Sequence, residues 1–286
     1  MFPPSICHTI SSYSRKLITR DVDMNNIFPS NKVKVKSIFI SDVHLGFPEC
    51  SAKYLLDFLR NSECEKIYLV GDIIDFLYLR KKTYWPQEHN DVIRTILGKA
   101  KHGTQVIYVP GNHDATIRLH GETVLGNVLI KNEVIHETAD GKRFLVLHGD
   151  QFDSVVKHSP LLIIVGSKLY GWLLKANRIV SYVRYQLGMP YWSLAAALKQ
   201  KVKGAVNYIS NFETAVSHMA RQRKVDGMIC GHIHRAEIRK IDDVLYCNCG
   251  DWVESCTALI ENNDGSLEIL NWTEQYESVK KLATAA

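Results

Sequence analysis

Five short clusters of aspartate, asparagine and histidine each follow a run of apolar residues in this chain. The runs have the length and the β-branched content of buried strands, so we expect the clusters where strands end. Sheets of α/β proteins gather their ligands at the carboxyl ends of their strands. The side chains in these clusters that can ligate a metal are Asp42, His44, Asp72, Asn112, His148, His232 and His234.

This set of side chains offers oxygen and imidazole ligands and no thiolate, which favours Mn, Fe, Zn or Ni over a structural zinc site. The set is larger than one ion needs, whereas two ions that share a bridging carboxylate account for it. Two such ions polarise a phosphoryl oxygen, lower the pKa of a bridging water and stabilise both oxygens of an in-line displacement. The sequence therefore predicts a dinuclear centre that hydrolyses phosphoesters or pyrophosphates.

These clusters must be positioned by the surrounding strands and helices. In the predicted order of elements, an α/β half is followed by a β-rich half, which predicts a layered α/β sandwich. The predicted strands are residues 37–40, 66–70, 104–109, 143–147, 227–230, 244–247, 257–260 and 267–272, and the predicted helices are residues 52–59 and 91–101. The predicted domain spans residues 36–275. A flexible tail, residues 1–35, precedes it, and a C-terminal tail, residues 276–286, follows it.

The composition is that of an ordinary globular protein, with 46% hydrophobic and 23% charged residues. These values exclude disordered, collagen-like and disulfide-scaffold proteins. Seven cysteines without a regular framework favour a reducing compartment. No apolar run approaches the roughly 18 residues of a membrane span, and residues 1–35 lack the apolar core of a secretory signal.

The net charge of +5 is an average over two unlike parts of the chain. Residues 154–225 carry eleven Lys and Arg and one acid, Glu213, a local net charge of +10, so the rest of the chain sums to −5. The same segment holds eight aromatic residues, and its apolar residues recur at helical spacing. We predict that it is an inserted cap of three or four helices beside the metal site.

Three functional interpretations of this cap compete with an ordinary solvated helical face. The cap could cover acyl chains while its cations meet phosphates, lie on an anionic membrane surface, or bind nucleic acid. The first two are favoured, because one amphiphilic lipid substrate would require both, and no nucleic-acid partner is expected. Candidate phosphate or sugar contacts in the segment are Lys199, Lys201, Lys203 and Asn207.

The five clusters, taken in order, resemble the calcineurin-like metallophosphoesterase superfamily from Ser41 to about Asp251. The motifs that carry the resemblance are Asp-x-His, Gly-Asp-x-x-Asp, Gly-Asn-His-Asp, His-Gly-Asp and Gly-His-x-His. The resemblance implies a four-layer α/β/β/α sandwich with a dinuclear centre. It implies one metal held by Asp42, His44, Asp72 and His234, and a second held by Asp72, Asn112, His148 and His232. It also implies that His113 stabilises the developing charge or protonates the leaving group, and that Asp114 orients His113.

Within that superfamily the chain is most similar to the UDP-2,3-diacylglucosamine diphosphatases of lipid A synthesis. The shared features include Gly-Asp-x-x-Asp-Phe, His-Gly-Asp followed by Asp153, Gly-His-x-His followed by Arg235, and a late Gly-Asp-Trp. The similarity implies a manganese enzyme, peripheral at the cytoplasmic face of the inner membrane. It would release UMP and 2,3-diacylglucosamine 1-phosphate from a lipidated UDP-sugar. Asp153 and Arg235 are further candidate substrate contacts.

One residue departs from that pattern, because those enzymes commonly have Arg after the metal-binding Asn, whereas His113 stands here. This departure leaves open a phosphodiesterase or phosphatase with another nucleotide-linked or lipid-linked substrate. A third hypothesis is a scaffold that keeps the fold without catalysis. The complete set of seven ligand positions, together with His113, argues against that scaffold.

Overall fold

The computed structural model describes residues 32–154 and 203–274, together with a few positions between residues 176 and 189. Both predicted tails, apart from residues 32–35, lie outside the described residues, and so does most of the predicted cap, with Lys199 and Lys201. In the part that is described, no helix is long and apolar enough to cross a bilayer.

Fourteen strands and four α-helices have their bounds within the described residues. The strands are β1 (Val33–Lys34), β2 (Ser37–Ile40), β3 (Ser62–Glu63), β4 (Lys66–Val70), β5 (Gln105–Val109), β6 (Thr123–Leu125), β7 (Val128–Ile130), β8 (Val134–Glu137), β9 (Arg143–Val146), β10 (Gly227–Cys230), β11 (Glu237–Ile241), β12 (Val244–Asn248), β13 (Thr257–Glu261) and β14 (Leu267–Asn271). The helices are α1 (Ala52–Arg60), α2 (Phe76–Leu79), α3 (Gln87–Lys101) and α4 (Lys203–Arg223). Two short 3-10 helices, Ala115–His120 and Asp150–Ser154, complete the set.

Two mixed sheets contain most of the strands. The larger sheet has seven strands in the order β14-β13-β2-β4-β5-β7-β6, and the smaller has five in the order β11-β12-β10-β9-β8. Strands β2, β4 and β5 run parallel to one another, and so do β9, β10 and β12. Parallel strands end at the same edge of their sheet, so the residues that follow them meet at one end of each sheet.

Three apolar cores separate four layers, which confirms the predicted α/β/β/α sandwich. Along β2, Ile38 and Ile40 pack toward α1 and α3, whereas Phe39 packs toward the smaller sheet. This alternation follows from the two-residue period of a strand. The middle core lies between the sheets, with Phe39 and Tyr68 against Phe144. The third core lies between the smaller sheet and α4.

Helix α4 differs from the sequence prediction, which placed residues 203–225 in the inserted cap. Its apolar residues Ile209, Phe212, Val216 and Ala220 recur every three or four positions and are buried against the smaller sheet. A stripe of this kind covers a sheet face, whereas the cations of the helix lie at other positions along it. The helix is therefore the fourth layer of the sandwich. At the other end of the predicted domain, β1 begins at Val33, three residues before the predicted start.

Candidate metal centre

Five of the seven predicted metal ligands have backbones in the left-handed region. They are Asp42, His44, Asp72, His232 and His234, with φ between 52° and 70°. Non-glycine residues rarely adopt this conformation, which costs of the order of 1–3 kcal/mol each when it is imposed by the surroundings. Hydrogen bonds impose it here, since the Val43 and His44 N–H groups both donate to the Asp72 carbonyl. The sharp turns direct these side chains toward one another beyond the strand ends.

The first cluster of ligand atoms contains Asp42, His44 and His234, which follow β2 and β10. Their ligand atoms lie within 4.8 Å of one another. His234 Nε2 is 3.2 Å from Asp42 Oδ1. The backbone N–H of His232 donates to the other oxygen of Asp42 at 2.9 Å, which ties the β10 turn to the β2 turn. Two loops from different sheets thus present three ligand atoms to one point.

The second cluster contains Asp72, His148 and His232, again within 4.8 Å. His148 Nδ1 lies 2.9 Å from the Val70 carbonyl, an arrangement in which Nδ1 carries the proton and donates it. Nε2 is then the nitrogen that is left for a metal ion, and it faces Asp72 Oδ2 at 3.4 Å. His232 Nε2 is held by Asp153 Oδ1 at 2.9 Å, which orients the ring.

Asp72 connects the two clusters. Its Oδ2 lies 3.9 Å from His44 Nε2 and 3.4 Å from His148 Nε2, so one oxygen faces both groups of ligands. Its Oδ1 accepts the backbone N–H of His113 at 2.8 Å, which fixes the carboxylate plane. This is the arrangement that a bridging carboxylate requires.

Glycines beside the ligands allow the loops to approach this closely. A Cβ on Gly71 would lie 2.3 Å from the His148 ring, and Gly71 itself has φ of +78°. A Cβ on Gly111, the residue before Asn112, would lie 2.3 Å from Asp72 Oδ1. The Asn112 loop therefore packs directly against Asp72 and His148.

Buried polar atoms without hydrogen bonds test whether these residues fit a cation. Among the described residues, such atoms include Asp42 Oδ1, His44 Nε2, Asn112 Oδ1, His148 Nε2 and His234 Nδ1. These five belong to predicted ligands and are the majority of the nine such atoms among the described residues. A buried polar atom without a partner costs free energy, and coordination to a divalent ion removes that cost. The side chains present thus fit a metal centre of oxygen and imidazole ligands.

The charges of the metal-free site are balanced by protons. Burial alone would raise the pKa of Asp42, but His234 and then His148 outweigh burial and hold that pKa well below its ordinary value. Burial opposes protonation of His148, yet Asp72 and Asp42 raise the pKa of His148 to about 10. A metal ion that binds His148 therefore displaces a proton from this imidazole.

The sequence match decides the family. The model of the calcineurin-like phosphoesterase family matches residues 35–236. This chain is a calcineurin-like phosphoesterase. It is thus a metal-dependent hydrolase of phosphoesters or phosphoanhydrides, and the His/Asp clusters are where a phosphoesterase of this family would hold divalent metals.

Relatives of this phosphoesterase include two proteins named UDP-2,3-diacylglucosamine hydrolase. The one from Vibrio atlanticus is 25% identical over 241 residues, which cover 79% of this chain and 93% of the relative. The one from Haemophilus influenzae is 22% identical over 242 residues, which cover 80% and 95%. Among solved structures, the phosphoesterase Yfce from E. coli aligns with a TM-score of 0.38 and 12% identity, over 82% of this chain and 98% of that one.

His113 lies at the edge of the phosphoesterase centre, with its side chain 30% exposed. Its Nδ1 is 2.9 Å from Asp75 Oδ1, and its ring meets the His44 ring edge to face at 4.6 Å. Asp75 Oδ2 is 3.3 Å from His44 Nδ1, so one carboxylate orients two imidazoles. Burial would raise the pKa of Asp75, but its hydrogen bonds with His113 and His44 lower it. His113 is thus accessible to a substrate and held by an ionised partner.

Asp114 does not contact His113 in this way, contrary to the expectation from the resemblance. Its carboxylate is fully buried and accepts hydrogen bonds from the Tyr108 hydroxyl at 2.5 Å, from Gly111 N–H at 2.5 Å and from Ile73 N–H at 2.8 Å. Burial and then Asp72 raise the pKa of Asp114. Asp114 therefore fixes the Asn112 loop, and the carboxylate that orients His113 is Asp75. The sequence did indicate Asp75, since it is the second acid of the motif Gly-Asp-x-x-Asp.

The remaining predicted substrate contacts either pair with another side chain of the protein or lie outside the described residues. Asp153 pairs with His232, and Arg235 Nη2 lies 3.4 Å from Glu237 Oε1. Lys203 and Asn207 are in α4, but their side chains lie outside the described atoms. Of this group, only Asp153 and Arg235 have described side chains, and each of them pairs with a residue of the protein.

Proposed function

We propose that this phosphoesterase cleaves the pyrophosphate of UDP-2,3-diacylglucosamine to UMP and 2,3-diacylglucosamine 1-phosphate. The main support for the chemistry is that Asp72 Oδ2 faces one histidine of each cluster, His44 at 3.9 Å and His148 at 3.4 Å. The substrate is suggested by the relatives named UDP-2,3-diacylglucosamine hydrolase, of whose lengths the chain spans 93% and 95%. The proposed place of action is the cytoplasmic face of the inner membrane.

In the proposed centre, two divalent ions, with manganese as the proposed metal, would polarise the phosphoryl group and supply an activated water. Asp42, His44 and His234 would hold one ion, Asn112, His148 and His232 the other, and Asp72 both. We assign His113 Nε2 the proton that neutralises the leaving phosphate oxygen. Asp75 Oδ1 lies 2.9 Å from His113 Nδ1, where its negative charge would stabilise the imidazolium and leave Nε2 for the substrate.

The proposed lipid substrate requires that the centre face a membrane, and a surface beside Asp75 suits that requirement. Helix α2 starts directly after Asp75, and Leu77 within it is 42% exposed. Arg80, Lys81 and Lys82 follow, all exposed, and none forms an ion pair with a described residue. An exposed apolar side chain next to exposed cations favours contact with anionic lipid.

Vesicle binding tests this surface. We expect Leu77→Asp combined with Lys81→Glu to reduce co-sedimentation with vesicles that contain anionic phospholipid by about tenfold, since each cation near such a surface contributes about 1 kcal/mol. The matched control is Leu97→Asp, because Leu97 is 41% exposed and belongs to α3 instead. Equal losses for the two variants would contradict a specific role for α2.

The enzyme assay that tests the substrate measures UMP release with Mn²⁺ from UDP-2,3-diacylglucosamine and from its deacylated form. We expect the acylated substrate to be turned over preferentially. Equal turnover of the acylated and deacylated substrates would contradict the lipid assignment. Activity confined to simple aryl phosphodiesters would favour the alternative, a general phosphodiesterase, to which His113 in place of the usual Arg points.

A further inference from the structure

Arg118 uses its whole guanidinium group to join two loops of the metal centre. It belongs to the 3-10 helix Ala115–His120, which follows the Asn112 loop. Its Nη1 and Nη2 donate to the two oxygens of Asp150 at 2.8 and 2.6 Å. Its Nε and Nη2 also donate to the Pro110 carbonyl at 3.2 and 2.7 Å. A bidentate pair of this kind fixes orientation as well as distance.

The two loops that Arg118 joins carry two proposed ligands of the same ion. Pro110 is two residues before Asn112, and Asp150 is two residues after His148. Asn112 Oδ1 and His148 Nε2 are both buried and without hydrogen bonds. They come from different sheets, because Asn112 follows β5 and His148 follows β9. The distance between these ligands therefore depends on how the loops are held together.

We propose that Arg118 and Asp150 are positioning residues for the second metal subsite, holding the Asn112 loop against the His148 loop. The inference rests on the proposed assignment of these two ligands to one ion. Neither residue ligates the metal. With four hydrogen bonds to the loops and its side chain 32% exposed, Arg118 is committed to this contact and is not a phosphate-binding cation.

Metal titration without substrate tests the proposal. We expect Arg118→Lys, which keeps the charge but loses the planar fork, to weaken one of two Mn²⁺ equivalents by about 10- to 100-fold. The other equivalent, at Asp42, His44 and His234, should stay within about twofold. Calorimetry resolves the two equivalents, and the spin coupling of the Mn²⁺ pair in electron paramagnetic resonance shows when both subsites are filled. In assays, the Mn²⁺ concentration for half-maximal activity should rise while kcat recovers at saturating Mn²⁺.

Two further variants serve as a second test and as a control in the metal titration. Asp150→Asn preserves side-chain size and should act like Arg118→Lys. Arg221→Gln is the matched control, because Arg221 also pairs with two carboxylates, Asp242 and Asp243, but joins no ligand loops. Circular dichroism confirms that each variant is folded.

Three results would overturn the proposal. Wild-type affinity at both subsites in Arg118→Lys and Asp150→Asn rejects the positioning role alone. Equal weakening of both equivalents with a lower Tm assigns the pair to general stability. A wild-type protein that binds a single equivalent of Mn²⁺ rejects the dinuclear centre itself and the positioning role with it. If UMP is not released but the metal titration gives the expected result, the proposed substrate is wrong and the positioning role stands.

Discussion

At the scale of single residues, Asp72 is the side chain on which both metal clusters depend. Its Oδ2 faces His44 and His148, one from each cluster. We therefore expect Asp72→Ala to retain neither equivalent of Mn²⁺ after dialysis, as measured by elemental analysis. The control variant is Asp91→Ala, because Asp91 lies in α3 and is distant in sequence from every cluster. This variant should retain both equivalents of Mn²⁺. If Asp72→Ala kept two metals, the bridging role would be wrong.

Asp75 offers a second test at this scale, because it orients His113 without a place among the proposed ligands. We expect Asp75→Asn to lower kcat at saturating Mn²⁺ by about 10²- to 10⁴-fold, the range for loss of general acid–base catalysis. His113→Ala should cost a similar factor. Residues that act as a unit are not additive, so the double variant should lose little more than either single one. Factors that multiply in the double variant would show that the two residues act independently.

The roles of Asp75 and Asp114 mark the limit of what residue types and spacing predict. The ligands could be predicted because each directly follows a buried strand, and strand ends converge. Which of two nearby carboxylates contacts His113 depends on turn geometry. Asp114 is directed inward by three donors, among them the Tyr108 hydroxyl. The spacing of residues in the sequence does not predict which way the Asp114 side chain points.

At the scale of elements, the longer apolar strands were predictable, whereas several short or charged strands were not. Strands β2, β4 and β10 match their predicted bounds, because they are apolar runs buried on both faces. Strand β6 has three residues, two of them exposed, and strand β11 carries Glu237, Arg239 and Lys240 at the edge of the smaller sheet. Short or charged edge strands bury too little apolar surface to produce an alternating pattern.

Helix α4 supplies the prediction at this scale, because Phe212 connects the fourth layer to the centre. Its ring is fully buried, meets the Phe152 ring at 5.4 Å and lies 6.2 Å from the His232 ring. We expect Phe212→Ala to lower the free energy of unfolding by about 3–5 kcal/mol in urea denaturation, because it leaves a cavity. Ser210→Ala, at an exposed position of the same helix, should change it by less than about 0.5 kcal/mol. A small effect of Phe212→Ala would mean that α4 is held weakly.

At the scale of the whole molecule, a buried polar network joins the two sheets away from the metal centre. Glu261 on β13 accepts the Ser37 hydroxyl at 2.5 Å and the Ala139 N–H at 2.8 Å, and it lies 3.0 Å from His136 Nε2. His136 is on β8 of the smaller sheet, and its Nδ1 is 2.9 Å from the Tyr68 hydroxyl of the larger one. The two side chains of the His136–Glu261 pair are fully buried. A polar contact of this kind fixes the register between sheets that otherwise meet through apolar residues.

This network makes stability depend on pH with a definite sign. Burial would raise the pKa of Glu261, but its hydrogen bonds with His136 and Ser37 lower it below the ordinary value of 4.5. A lowered carboxyl pKa contributes stability above the unfolded value, and that contribution disappears as pH falls through the folded value. We expect Glu261→Gln to cost about 1–3 kcal/mol at pH 7. Its difference in Tm from the wild type should narrow as the pH falls below the ordinary carboxyl pKa of 4.5, as followed by circular dichroism. Glu268→Gln, an exposed position on the neighbouring strand β14, should leave the Tm profile unchanged. A constant difference across the pH range would show that Glu261 acts through packing and not through its charge.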